Sequence, residues 1–287
     1  MTQDAIGILE PEELARSMAE DAEGTLLLVQ ITSPEVFLQA HIDGAVLVTP
    51  AELVSGQPPA TGRLPDLEAL TRLFRRIGWT PERRVVVYDD EGGGWAGRFA
   101  WTLECIGERR WSYLNGGLHA WYAAGLPMAH GDAQGPMLGE GPSAHRATDP
   151  IASDVNVVID TGPIAEIADV LAAIDDDDQL VWDVRSAEEY RGERRAAARS
   201  GHIPGAVNLD WMALKDPSTA RIPDNLAGLL DDNGVDRGKA IITHCQTHHR
   251  SGLSYMLGRL LGLDIRAYRG SWSEWGNRDD TPIEGET

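Results

Sequence analysis

The sequence predicts an α/β protein made of two tandem domains, each a mostly parallel sheet flanked by helices. Three observations carry that prediction. The chain has 287 residues, the size at which single cores stop growing and divide. It repeats itself at long range. Short β-rich apolar runs also alternate with segments whose apolar residues recur every three or four positions, and right-handed crossovers turn that alternation into a layered parallel sheet.

The repeat is legible in four landmarks that keep their order. His41-Ile-Asp-Gly-Ala-Val46 returns as His202-Ile-Pro-Gly-Ala-Val207, an offset of 161. Val85-Val-Val-Tyr88 followed by Asp89 matches Ile241-Ile-Thr-His244 followed by Cys245, an offset of 156. Gly116 and Trp121 match Gly270 and Trp275 at 154, and Leu28-Val-Gln30 matches Val181-Trp-Asp183 at 153. One domain present twice explains all four. The expected division is a first domain over 1–130, a linker over 131–152 rich in Gly, Pro, Ala and Ser without sustained periodicity, and a second domain over 153–287.

In chain order, Glu12 to Ala22 reads as an amphipathic helix and Leu26 to Ile31 as a buried strand. Leu67 to Ile77 is the next helix, Val85 to Tyr88 the next strand, and Phe99 to Ile106 a further helical stretch. In the second copy, Val157 to Asp160, Leu180 to Val184 and Ala240 to His244 are apolar runs of strand length, and Pro163 to Ile174 and Gly252 to Leu261 have helical spacing.

Composition narrows the function classes. The net charge of −20 argues against a nucleic-acid or anionic-membrane surface. Lys215 and Lys239 are the only lysines, a bias that fits a GC-rich coding sequence or a salt-loaded cytoplasm in which surface repulsion keeps proteins soluble. No apolar stretch reaches the ~18 residues of a membrane span, and the first residues lack the basic and apolar regions of a signal peptide. Cys105 and Cys245 are the only cysteines, too few for a disulfide framework, so a reducing, cytoplasmic setting is expected.

The chemistry is expected where the strand Ala240 to His244 stops. Cys245 stands at its end, followed by the polar turn Gln246, Thr247, His248, His249 and Arg250, then Ser251 and a helix. Backbone N–H groups of such a turn, the helix N-terminus and the Arg250 charge all favour a thiolate. Cys105 lies in a helical stretch without clustered polar neighbours and reads as a buried hydrophobe. Cys245, His248 and His249 lie too close together for an ordinary tetrahedral zinc site, and no second cluster assists them.

The string His-Cys245-Gln-Thr-His-His-Arg250-Ser-Gly-Leu resembles the active loop of the tandem-domain rhodaneses, the thiosulfate:cyanide sulfurtransferases, and looks closest to the bacterial subgroup whose loop reads CQTHHRS. Asp183-Val-Arg185-Ser, Tyr190-Arg-Gly-Glu193, Gly201-His-Ile-Pro-Gly-Ala-Val-Asn208 and Gly270-Ser-Trp-Ser-Glu-Trp-Gly276 extend the resemblance over the second half, and the repeat landmarks carry it into the first. It implies a catalytically silent first domain with Asp89 in the place of the reactive cysteine. It also implies that a Cys245 persulfide carries sulfur by a ping-pong route from thiosulfate to cyanide or a thiol, with no metal or organic cofactor. Gln246 through Ser251 are then the persulfide cradle, and Arg185 matches the family's substrate-binding arginine, with Asp183 in support.

The resemblance also bears on the alternatives. Cys245 to Arg250 is Cys-x4-Arg, one residue shorter than the phosphatase loop of this fold, so the cradle is expected to suit a single sulfur rather than a phosphate. Mercaptopyruvate sulfurtransferases typically read Cys-Gly-Ser/Thr-Gly-Val-Thr and eukaryotic-type rhodaneses Cys-Arg-Lys-Gly-Val-Thr; this chain has neither. A mercaptopyruvate-specific transferase and a persulfide carrier that hands sulfur to a protein acceptor remain as alternatives. The expected partners are small-molecule donors and acceptors, and the expected state is a monomer.

Several other features read as structural. His41 and His202 recur although only one copy has the cysteine, which suggests a turn device. Arg191, Arg194 and Arg195 read as a solvated face, as does the acidic tract Asp175 to Asp178. Trp211 and Trp272 are candidates to wall a cleft or to pack in the core.

Overall fold

The computed structural model describes residues 6–131, 137–138, 145–146 and 155–285. The first unit runs β1 (Gly7–Leu9), α1 (Pro11–Glu20), β2 (Leu26–Ile31), α2 (Pro34–Gln39), β3 (Val46–Val48), a 3-10 turn (Pro50–Leu53), α3 (Leu67–Arg76), β4 (Arg84–Asp89), α4 (Gly94–Cys105), β5 (Trp111–Leu114) and α5 (Gly117–Ala123). A short antiparallel pair, β6 (Met137–Leu138) and β7 (His145–Arg146), follows. The rest of the predicted linker up to residue 152 lies outside the described residues. The second unit runs β8 (Ile164–Ala165), α6 (Ile167–Ala173), β9 (Gln179–Asp183), α7 (Ala187–Tyr190), β10 (Val207–Asn208), a 3-10 turn (Trp211–Leu214), α8 (Leu226–Asp232), β11 (Ala240–His244), α9 (Arg250–Leu260), β12 (Ile265–Tyr268) and α10 (Ser271–Trp275).

The two five-stranded sheets have one topology, β1-β5-β4-β2-β3 and β8-β12-β11-β9-β10, and every pairing in them is parallel. Register confirms the repeat in detail. Gln30 lies opposite Tyr88 in one sheet and Asp183 opposite His244 in the other, so Asp89 and Cys245 leave equivalent strand ends. The histidine landmark is a structural device in both copies. His41 stacks on Phe37 at 4.1 Å and His202 on Tyr190 at 3.7 Å. Each ring also bonds through Nδ1 to its stacking partner's carbonyl at 2.8 Å.

Alternation along the strands divides the apolar side chains between two faces. Leu26 and Leu28 of β2 and Val86 and Tyr88 of β4 pack on the outer face. Leu27, Val29, Ile31, Val85 and Val87 face inward, into a core they share with Leu180, Trp182, Ile241, Leu253 and Leu257 of the second unit. The two units therefore possess a common core as well as separate outer ones.

The predicted strand over Val157 to Asp160 does not form; this stretch is irregular. Its apolar residues serve the junction instead. Val157 is buried against the common core, and the segment is tied to the first unit by Asp160 N–H to the Cys105 carbonyl at 2.7 Å and by Arg75 to the Val155 carbonyl at 3.2 Å. The edge position passes to β8, which pairs with Ala267 and Tyr268. The helix expected from Pro163 begins only at Ile167, because Glu166 and Asp169 form a reciprocal cap there.

At the centre of the molecule α4 and α9 cross with their backbones in contact. A Cβ on Gly97 would lie 2.3 Å from the Gly252 carbonyl oxygen, and one on Gly252 would lie 2.4 Å from the Arg98 nitrogen. Ordinarily Gly to Ala inside a helix is favourable by about 1 kcal/mol; here the added methyl meets backbone that has nowhere to go. Gly252→Ala is therefore expected to destabilise the protein by about 1–3 kcal/mol, the usual cost of overpacking, read as a lower midpoint in chemical denaturation.

Candidate functional site

In the turn between β11 and α9 the first two carbonyls are taken up by α10 and the Ser251 amide faces the Cys245 sulfur. Trp272 N–H and Ser273 N–H at the start of α10 donate to the carbonyls of Cys245 and Gln246, both at 2.9 Å. Gln246 Nε2 reaches the Ala196 carbonyl at 2.9 Å. His248 adopts the left-handed conformation, φ 56°, which a side-chain-bearing residue holds only when its surroundings enforce it.

Cys245 is buried, 1% exposed. Burial alone would raise its pKa, yet the Arg250 charge, the Ser251 hydroxyl and amide, and His249 together bring it below the ordinary thiol value. The Ser251 hydroxyl lies 3.5 Å from Sγ and is itself 2.8 Å from His248 Nδ1. Burial and the neighbouring Arg98 charge push the His248 pKa well down, so its imidazole is neutral. With the proton on Nδ1, the chain runs His248 to Ser251 to sulfur, every donor pointed at the anion.

Arg250 makes a two-pronged pair with Glu189, at 2.6 and 2.9 Å. Burial works against the Glu189 carboxylate, but the guanidinium holds its pKa below the usual range. That pair fixes the cation beside the sulfur without neutralising it by direct contact with the thiolate. Glu189 was not singled out from the sequence. Ser186-Ala-Glu-Glu189 carries a capping-box signature that α7 does use, but nothing in the string announces a partner 61 residues away.

The first unit shows the same turn already filled. Asp89, equivalent to Cys245, accepts from the N–H groups of Gly92 and Gly93 at 3.0 and 2.8 Å through Oδ1, and from Ala96 at 2.9 Å through Oδ2. A carboxylate thus occupies the ring of amides that the second unit leaves to sulfur.

Three residues of the loop, Thr247, His248 and His249, are met by the first unit. The Thr247 carbonyl lies where a Cβ on Gly62 would be, 1.8 Å away. His248 stands edge-on to Trp101 at 4.4 Å, and its carbonyl accepts from Arg98. His249 stacks on Trp95 at 4.3 Å and pairs with Glu91. On its other side Trp211 lies 5.7 Å away, with Lys215 over the Trp211 ring. These contacts from Gly62, Glu91, Trp95, Arg98 and Trp101 were not read from the sequence, since they depend on how the two copies dock.

The structure places the other expected site residues below the loop. Arg185 is 1% exposed; its Nε and Nη2 bond Asp183 at 3.0 and 2.6 Å, Nη2 also reaches the Gly201 carbonyl, and its guanidinium lies 4.2 Å from the Trp272 ring centre. Burial opposes ionisation of Asp183, but His244 and Arg185 hold its pKa down. The pair therefore supports Trp272, whose N–H holds the Cys245 carbonyl. Trp211 walls the mouth, while Trp272 is core. Cys105 is fully buried, and burial pushes its pKa well up.

Two parallel α/β units, one ending its central strand in a cysteine cradled by amides and the other in a carboxylate, define the class. The family model for the rhodanese-like domain matches residues 10–124 and 166–278, and the chain belongs to that family. It is 45% identical over 280 residues to the thiosulfate sulfurtransferase of Azotobacter vinelandii, covering 96% of each chain. It is 43% identical over 279 residues to the protein of the same name from Pseudomonas aeruginosa, again covering 96% of both. Among solved structures, the fold is shared with YnjE at a TM-score of 0.80 and 17% identity, over 96% of this chain and 67% of that one.

The electrostatics of the loop give a pH dependence with a definite sign. The thiolate is the reactive form, so reactivity is present above the Cys245 pKa and is lost as pH falls through it. The rate of Cys245 alkylation by iodoacetamide is expected to have its midpoint below the ~8.5 of a free thiol. Arg250→Met is expected to move that midpoint upward and to slow alkylation at neutral pH by roughly tenfold per unit moved.

Proposed function

We propose that the protein is a thiosulfate sulfurtransferase in which Cys245 carries the sulfur. The observation that carries this reading is the Cys245 thiol, lowered in pKa by Arg250 and Ser251, at the point where Asp89 shows the equivalent turn holding a carboxyl group through its amides. The thiolate attacks the outer sulfur of thiosulfate, the S–S bond breaks and sulfite leaves with the electron pair, so that Cys245 becomes a persulfide anion. Cyanide then attacks the terminal sulfur, the Cys245–sulfur bond breaks, and thiocyanate departs while the thiolate returns. The two halves are separate displacements at one sulfur, a ping-pong cycle.

The cradle from Gln246 to Ser251 stabilises charge on the terminal sulfur as an oxyanion hole stabilises oxygen. Arg250 supplies the charge that lowers the thiol pKa most, and Asp183 with Arg185 acts from behind, through Trp272. His249, 23% exposed at its side chain, is the loop cation that meets an incoming dianion when protonated. The carried group is sulfur itself, so the cycle calls on neither a metal nor an organic cofactor. We place the protein in the cytoplasm as a monomer acting on small-molecule donors and acceptors; among the described residues no helix is long and apolar enough to cross a membrane.

Intact-mass spectrometry tests the reading directly. Thiosulfate is expected to add the mass of one sulfur atom to Cys245, and cyanide to remove it with release of thiocyanate. Cys245→Ser is expected to abolish loading and turnover, while Cys105→Ser stays within about twofold of the parent, since a buried thiol of raised pKa takes no part. Sulfur transfer retained by Cys245→Ser would overturn the assignment. Loading by mercaptopyruvate and not by thiosulfate would change the donor and keep the carrier.

A further inference from the structure

Arg98 of α4 is 0% exposed and sits in the helix crossing, its backbone nitrogen against Gly252. Its Nη2 donates to the Leu53 carbonyl at 2.7 Å, its Nη1 to the His248 carbonyl at 3.4 Å, and its Nε has no partner. The guanidinium lies over the Trp101 ring at 4.5 Å. Among the described residues no carboxylate pairs with it, which is a costly state for a buried charge. Each remaining interaction is a dipole or a ring face. Of the two cysteines whose ionised forms would favour its charge, Cys105 is held as a thiol by burial, and Cys245 is the one whose pKa is lowered.

We propose that Arg98, on the unit without a reactive thiol, is a positioning residue that acts through the His248 peptide on the loop around Cys245. It holds the His248 peptide in its left-handed turn and completes the positive surroundings in which thiolate and persulfide rest. The proposal deepens the sulfur-carrier reading of Cys245 and rests on it. Burial pushes the Arg98 pKa down to about 9, so near neutral pH it is charged, and its charge adds to the burial that keeps His248 neutral and free to orient Ser251.

The other groups facing the sulfur are accounted for. Arg250 and His249 act from the loop, Arg250 engaged by Glu189 of α7 and His249 by Glu91 of the first unit. Asp183 of β9 is committed to Arg185, and burial lowers the His244 pKa. Arg269, a second cation that repels Arg98, is paired with Glu166. Arg98 is thus the one buried cation of this set without a carboxylate across from it.

The test is Arg98→Met, assayed by the pH dependence of Cys245 alkylation and by thermal unfolding, with Arg98→Lys and Arg98→Gln beside it. The expected result is a Cys245 titration midpoint raised by about one unit, equivalent to about tenfold less thiolate below the midpoint. Thermal stability is expected to be unchanged or higher, because an unpaired buried charge has been replaced by an apolar chain. Lysine should restore much of the titration and glutamine should not. A merely structural arginine gives the opposite pattern, a lower melting temperature with an unmoved titration, and that result would overturn the proposal. Should the Met variant not fold, the Lys and Gln pair decides by the same titration, with equal midpoints in the two counting against it. Alkylation needs no sulfur donor, so failure of the parent to load from thiosulfate would refute the proposed activity, whereas an unmoved midpoint in Arg98→Met refutes the role of Arg98.

Discussion

The close approach of α4 and α9 is the constraint on which the rest of the molecule depends. With glycine at 97 and 252 the two helix backbones touch, and no side chain separates the units at that point. This contact makes a continuous inner core out of two inner sheet faces. It also sets the N-terminal turn of α9, where Arg250 and Ser251 stand, against the helix bearing Trp95, Arg98 and Trp101. Were the helices held apart by the 8–10 Å of an ordinary side-chain-mediated packing, these three residues would be withdrawn from His248 and His249.

A second consequence concerns charge. Arg250, Arg185 and His249 each meet a carboxylate around the Cys245 turn, and the geometry keeps them sorted. Glu189 takes Arg250, Asp183 takes Arg185, and Glu91 takes His249. Each carboxylate thereby fixes its partner in place, and Arg250, Ser251 and His249 lower the thiol pKa although it is buried. The surrounding protein is strongly acidic, at −20 overall; this pairing is what keeps that excess from being felt at the sulfur.

Much of this was legible in the chain and some of it was not, for physical reasons. Strands buried on both faces read as apolar runs, and β2, β4, β9 and β11 were found that way. Val157 to Asp160 gave the same signal but serves a junction, because a short apolar run does not reveal whether it meets a neighbouring strand or a helix of another unit. The reactive turn was visible because polar residues crowd the end of an apolar strand at Cys245. The ordered repeat, aligned at the strand before it, identified Asp89 as its counterpart. Arg185 carried a charge in the string but not its burial beneath Trp272. Glu189, Glu91 and Arg98 reach the site only through tertiary docking, and no local spacing encodes that.

The filled cradle around Asp89 has a further meaning for how such a chain can change over time. A repeat that lacks the reactive residue of its twin usually becomes free to drift. Here the half with Asp89 supports the other's histidines and shares its core, so its sequence is answerable to the turn at Cys245. Duplication has left two copies with unlike tasks and one common fate, and neither can be exchanged, trimmed or redesigned as though it were a module.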